Sequence, residues 1–455
     1  MTTTAFYPPT VTPSARALPL LPFLARFVRN PLRAIPRAVY TEPVVTYGSK
    51  RPLVAWVTDP ALIENILLKN AEQFPKTQLD RRVLTPIVGK GLLTAQGESW
   101  RWQRKLASPP FRHAELLGYV PAMVDAAVDC VMRWRSLGSQ AFVTDVEEDL
   151  TDTTFAIIAR TILAGVSKRD GDVIKRAGRA YLDPISWEVA FSMLRLPDYV
   201  WHPGKGRMRR SAAELRSIVR KLVAERRQEG AVGTDLVARM MTAKDPDTGE
   251  PMPDELIADN LATFLFAGHE TTAKALTWTL YVLARAPEWQ ERVREEIVSV
   301  IGSGRIDAAA VGKLPVTNRV LKEVMRLYPP APVMTRIAAK DVELGGKAIP
   351  ASTLVVMPIF VIHRHKSLWQ DPERFDPDRF LPENEARYPR TQFMPFGYGQ
   401  RVCIGMSFAI LEATAILATL LQSMRFEWDG RHSPEPVSRV TLRPKGGMPL
   451  IVKPL

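Results

Sequence analysis

The chain has 455 residues, 46% of them hydrophobic and 24% charged, which is globular composition with enough length to bury a large core. Its two cysteines, Cys130 and Cys403, lie far apart, suggest no disulfide framework and fit a reducing compartment. The net charge of +13 reads as a solvated surface or as a basic face for an acidic protein partner; nucleic acid is disfavoured, because no basic run is interleaved with aromatics.

Residues 1–40 read as an irregular, proline-punctuated lead-in to a single domain over 41–455. The longest early apolar stretch, 17–25, is broken by Pro19 and Pro22, whereas a membrane-spanning helix needs about 20 apolar residues. Residues 1–15 carry no Lys or Arg, which a secretory signal would want. The expectation is a soluble, cytoplasmic protein with no transmembrane segment.

Val44–Tyr47 and 53–57 are β-rich runs about Gly48-Ser49-Lys50-Arg51-Pro52, a hairpin signal. From Asp59 to about Lys340 helical patterning dominates. The spacing predicts a long helix over 253–286, with a proline in its first turn and Pro287 ending it. Strand patterning returns about Gly345-Gly346, with 342–344 before that turn and 354–357 after it. A proline-rich meander over 369–396 leads to Cys403. Beyond it 406–424 reads as helix, and 439–452 about Gly446-Gly447 reads as a last hairpin. The fold class expected is mainly α with a small β-rich lobe.

The strongest chemical signal is Phe396-Gly397-Tyr398-Gly399-Gln400-Arg401-Val402-Cys403-Ile404-Gly405. A lone cysteine sits in a glycine-punctuated loop just before a helix, where backbone can approach a flat cofactor closely. Free N–H groups and the positive helix end would stabilise a thiolate, and Arg401 could pair with a propionate. Taken bare, a single cysteine is more often a buried small hydrophobe. Zinc is disfavoured, since one Cys and scattered His cannot supply four ligands.

Inside the long helix lies Ala267-Gly268-His269-Glu270-Thr271-Thr272. Glycine costs about 1 kcal/mol against alanine in a helix, so Gly268 suggests a need for space. An acid beside a hydroxyl can relay protons into an apolar pocket; a polar kink in a core helix is the plainer alternative. Glu323 and Arg326 share one helix face, as do Trp100 and Arg104. His363 and His365 flank Arg364 and make an incomplete metal pair, so they read as closing a strand and beginning a loop.

The Cys403 segment resembles the haem-binding pattern of the cytochrome P-450 family, Phe-x-x-Gly-x-Arg-x-Cys-x-Gly, at every fixed position. The resemblance runs from about residue 40 to the C-terminus, and 264–287 looks close to the soluble bacterial branch. It implies haem b, held without covalent attachment since no Cys-x-x-Cys-His occurs, with Cys403 as the iron's axial thiolate. Phe396, Arg401, Gly405, Trp100, Arg104, Arg336 and Ala267 would contact it, the arginines and Trp100 at the propionates. Thr271 would face bound dioxygen and Glu270 would feed protons, with His269 structural. Glu323 and Arg326 would brace the Cys403 loop through an arginine of Pro372-Glu373-Arg374-Phe375 or of Pro377-Asp378-Arg379-Phe380, the family order favouring Arg379.

The implied activity is insertion of one atom of dioxygen into an apolar substrate. Substrate contacts would come from 74–93, 183–201 (with Trp187, Phe191 and Tyr199), 263–271 and 331–335. No Gly-x-Gly-x-x-Gly strand–helix signature for a flavin or nicotinamide domain occurs. Electrons would therefore come from a ferredoxin or flavodoxin with its NAD(P)H-dependent reductase, docked near Arg101, Lys105 and Arg112. A peroxide-using or rearranging haem-thiolate enzyme, and a non-catalytic haem sensor or carrier, are the rival readings.

Overall fold

A 32-residue helix, Asp254–Arg285, organises the molecule. Asp254 and Glu255 in its first turn oppose the positive helix end, and Pro287 at the start of the next helix stops it. Its sequence is apolar on nearly every face, as a helix in the middle of a large core must be. Between residues 257 and 283 only Ala267, Gly268 and Thr271 are not buried. Around it pack Val146–Thr161, Lys205–Gln228, Pro315–Leu327 and Met406–Ser423. This computed structural model describes residues 5–48, 52–138, 140–163, 166–230, 235–245 and 248–455.

The need for space at Gly268 has a packing cause. A Cβ there would lie 2.7 Å from Ile158 Cγ1, so the glycine lets Val146–Thr161 approach the central helix. His269, beside it, is buried edge-on to Phe155 at 5.4 Å between ring centres and bonds the Leu265 carbonyl.

The β-rich part flanks this body. Val44–Tyr47 pairs antiparallel with Val54–Val57; residues 49–51 of the expected turn lie outside the described residues. Val54–Val57 runs parallel to Leu354–Met357, which pairs antiparallel with Met334–Ile337, completing a four-stranded sheet. Here the structure departs from the sequence reading. Across Gly345-Gly346, Val342–Leu344 pairs with Lys347–Ile349, and 354–357 belongs to the larger sheet. The tail departs too: Pro449–Pro454 pairs with Phe142–Asp145 and Met424–Glu427, while Leu442–Pro444 pairs with Pro436–Ser438.

Two further expectations need correction. The lead-in is not irregular throughout: Leu20–Arg29 is a helix whose Phe23 is buried and stacks on Tyr47. His363 follows a short helix, Ile359–Ile362, and closes no strand.

Candidate active site

The Cys403 loop is shaped by its glycines. Gly397 and Gly399 adopt φ of +74° and +76°, which side-chain-bearing residues rarely hold. At Gly399 a Cβ would also meet the Leu67 carbonyl oxygen at 2.2 Å. The loop closes on itself where Cys403 N–H donates to the Phe396 carbonyl at 2.9 Å. Cys403 is open on one side, yet deep enough that burial pushes its thiol up; the Gly405 N–H and the Arg104 charge act the other way. A Cβ on Gly405 would lie 3.7 Å from the Phe111 ring and 4.0 Å from Cys403 Sγ. Phe111 in turn stacks on Phe264 of the central helix, with ring centres 5.9 Å apart. The thiol-bearing loop and the central helix are thus joined through one aromatic residue.

Beside Cys403 the structure gathers Arg104, Arg336 and Arg401 from three separate segments. The Arg401 guanidinium lies over the Trp100 ring, 3.9 Å from its centre, and donates to the Ala95 carbonyl at 2.8 Å. Arg336 comes from the sheet, where it pairs in register with Val355, and donates to the Thr335 carbonyl at 2.8 Å. Burial pushes the Arg401 guanidinium down to about 10, helped by the Arg336 and Arg104 charges. Lys76 joins them, pushed down to about 8 by burial and by Arg401 and Arg336, and bonded to the Leu93 carbonyl. None of the four pairs with a carboxylate among the described residues. Asp80 is the carboxylate whose charge is felt by Lys76 and Arg336, so four confined cations face one acid, and such an excess suits a flat group carrying two carboxylates. The residues present fit haem.

On the central helix, Ala267 is exposed and Gly268 half-buried between buried residues on either side. Thr271, partly exposed one turn on, donates from its hydroxyl to the Ala267 carbonyl at 2.8 Å. Glu270 points elsewhere. Its carboxylate accepts from the Thr441 hydroxyl at 2.9 Å and from Arg443 Nε at 2.8 Å. Burial favours its neutral form, but the Arg443, Lys274 and His269 charges and the Thr441 bond together hold it below the usual glutamate range. The acid and the alcohol are neighbours in sequence and not in hydrogen bonding.

The expected brace is present. Arg326 makes a two-pronged bond to Glu323 at 2.6 and 2.8 Å and donates to the carbonyls of His363, Pro372 and Arg374. Both partners are fully buried. Arg379 lies 3.6 Å from Glu323, whereas Arg374 contributes only its main-chain oxygen, so the second copy completes the cluster. Burial and the charges of Arg326 and Arg364 push His363 down to about 3, and its neutral Nε2 accepts from Met394 N–H at 3.0 Å. The brace therefore reaches the chain that enters the Cys403 loop. Among the described residues no cluster of His, Cys, Asp and Glu could hold a metal ion.

Of the substrate-facing expectations, Trp187 and Phe191 meet edge-on at 6.1 Å, and Phe191 packs on His202. Tyr199 is 83% exposed and faces no interior. Sequence reasoning missed Thr441 and Arg443 as partners of Glu270, and took Lys76 only as part of a substrate segment. No local pattern marks these residues, since their roles come from contacts between distant segments.

The family model for cytochrome P450 matches residues 31–451. Cytokinin hydroxylase of Arabidopsis thaliana is 33% identical, over 88% of this chain and 79% of its own. The 11-oxo-beta-amyrin 30-oxidase of Glycyrrhiza uralensis is 31% identical, over 88% and 78%. Cyclooctat-9-en-7-ol 5-monooxygenase of Streptomyces melanosporofaciens is 30% identical, over 84% and 81%. The crystal structure of the cytochrome P450DA heme domain superposes with a TM-score of 0.81 at 25% identity, covering 99% of both chains. Fold and site are those of a haem-thiolate monooxygenase. The chain belongs to the cytochrome P450 family. Its cofactor is haem with an axial cysteine thiolate, and its activity is that of a monooxygenase.

These relatives also correct an expectation. The plant enzymes among them are of the membrane-anchored, endoplasmic-reticulum type, which overturns the assignment as a soluble, cytoplasmic protein. Among the described residues one helix, Met406–Ser423, is long and apolar enough to cross a membrane, and 61% of it is buried inside the fold.

Proposed function

We propose that this P450 hydroxylates an apolar organic substrate, with Cys403 as the axial ligand and Thr271 on the oxygen side. The observation that carries this reading is the interrupted burial of the central helix at Ala267, Gly268 and Thr271. Bound haem supplies dioxygen activation and transfer of one oxygen atom to a C–H bond. Arg104, Arg336, Arg401 and Lys76, with Trp100 beneath Arg401, would hold the propionates. Phe396 and Gly405 shape the thiolate loop, the first by accepting from Cys403 N–H and the second by donating to its sulfur.

The Thr271 hydroxyl donates a hydrogen bond to the Ala267 carbonyl and keeps its lone pairs free to accept one. Glu270, held as a carboxylate by Arg443, must take up a proton before it can pass one on; we assign it to proton supply from the Arg443 side. In Thr271→Ala, product per NAD(P)H should fall several-fold while haem content and substrate binding persist. Unchanged coupling would remove Thr271 from proton delivery.

The relatives named for 11-oxo-beta-amyrin and cyclooctat-9-en-7-ol support a hydrocarbon-rich substrate. The narrower bacterial lineage has the Streptomyces relative behind it and the plant relatives against it. Electrons come, in this reading, from a ferredoxin or flavodoxin with its reductase. Arg101, Lys105 and Arg112 are exposed, with Arg101 paired to Glu98. A haem-reduction rate indifferent to ionic strength would place docking elsewhere.

A further inference from the structure

A cavity of about 1340 Å³ lies where the Leu20–Arg29 helix meets the start of Val146–Thr161, the end of Lys168–Leu182 and the strands Pro436–Ser438 and Leu442–Pro444. Eight basic and four acidic side chains line it, and seven of the eight are arginine. The acids are already engaged. Glu435 sits 2.7 Å from Arg33 and 4.0 Å from Lys445. Glu147 pairs with Lys274 at 2.6 Å. Asp145 accepts from the N–H groups of Glu147 and Met448, and Asp183 lies 3.7 Å from Arg443.

That leaves Arg26, Arg29, Arg37, Arg179 and Arg439 in one cavity with no carboxylate partner among the described residues. The Arg26 guanidinium donates to the Ser14 hydroxyl at 3.3 Å. The Arg439 guanidinium is pushed down by burial and then by the Arg443 charge, with the Asp183 charge acting the other way. A concave surface with a clear excess of positive charge raises the local potential and draws in a counter-ion.

We propose that this basin binds a phosphate oligoanion, either a soluble polyphosphate or the phosphate headgroups of an anionic lipid. The planar arginine fork matches phosphate oxygens two at a time, which a lysine-lined surface would not do as well. The cavity exceeds the roughly 300–1,000 Å³ of ordinary small-ligand pockets, so it has room for several phosphate groups. The lipid source draws support from Leu20 and Leu21, 45% and 78% exposed on the same helix that supplies Arg26 and Arg29. The cavity shares Arg443 with the Glu270 ion pair, but its unpaired arginines take no part in that pair, and its test needs no turnover.

The haem-loaded protein is titrated with tripolyphosphate by calorimetry, at low and at physiological salt. It is then floated with phosphatidylcholine vesicles, with and without phosphatidylserine. The same is done for Arg29→Ala/Arg37→Ala/Arg179→Ala, which leaves Arg443 and the haem site untouched. Saturable binding of tripolyphosphate, weakened at least about tenfold by salt and by the triple substitution, is expected. Retention on the phosphatidylserine vesicles alone, lost in the variant, would identify the lipid source; tripolyphosphate binding without retention would identify the soluble one. No binding of either probe, or equal binding by the variant, overturns the proposal.

Discussion

Arg443 donates from Nε to Glu270 at 2.8 Å, tying the C-terminal strands to the middle of the central helix. Successive helical residues point about 100° apart, so Thr271 can face open space while Glu270 is turned into protein. The acid of the acid–alcohol pair is consequently a member of a buried ion pair, and its protonation is governed by Arg443.

Arg443→Ala should strand a buried carboxylate and destabilise the fold by about 3 kcal/mol. The pH dependence has a definite sign. Glu270 titrates below the ordinary glutamate range when folded, so its contribution is present above the unfolded value and lost as pH falls through the folded one. Wild-type protein should lose stability on acidification more steeply than Glu270→Gln, as followed by denaturant melts. Identical acid profiles would contradict the ion pair.

Glu412, on the Met406–Ser423 helix, behaves in the opposite way. It is 1% exposed, with no cation paired to it among the described residues and the Thr272 hydroxyl as its one polar influence. Burial pushes it up to about 8 from an ordinary 4.5, with the Thr272 hydroxyl acting against this. The folded state therefore keeps a proton that the unfolded chain releases across that range. Stability should fall from about pH 4.5 to 8, by at most about 1.4 kcal/mol per pH unit, and level off above. Glu412→Gln should remove this slope; thermal melts with parallel slopes for both proteins would show that Glu412 is ionised in the fold.

The doubled Pro-x-Arg-Phe segment gives a paired comparison. Arg379 is 8% exposed and its side chain reaches Glu323, whereas Arg374 offers only a carbonyl. Arg379→Ala should cost roughly 2–4 kcal/mol and weaken haem retention, since it removes one counter-charge from a fully buried carboxylate. Arg374→Ala should cost under about 1 kcal/mol. Equal losses would mean that the first copy also carries the brace.

Local pattern made some of this legible and distance hid the rest. The central helix is found within one residue of 253–286 at each end, because apolar periodicity and flanking prolines are encoded in adjacent residues. The Glu323–Arg326 pair was legible for the same reason, being one helical turn. The helix at Leu20–Arg29 was masked by Pro19 and Pro22, although proline is tolerated in a first turn. The partners of Glu270 and of Pro449–Pro454 were not legible, since strand pairing and ion pairing across most of the chain leave no local periodicity. Glu412 was unmarked as well: one acid in an apolar helix does not say whether it meets a partner.

Everything proposed for the oxygen side depends on thiolate ligation by Cys403. It is tested most directly by the absorption spectrum of the reduced, carbon-monoxide-bound protein, recorded for wild type and Cys403→Ser. The red-shifted band of a haem-thiolate is expected in wild type and in Cys130→Ser, and its loss in Cys403→Ser. A band that survives Cys403→Ser would mean that another group ligates the iron.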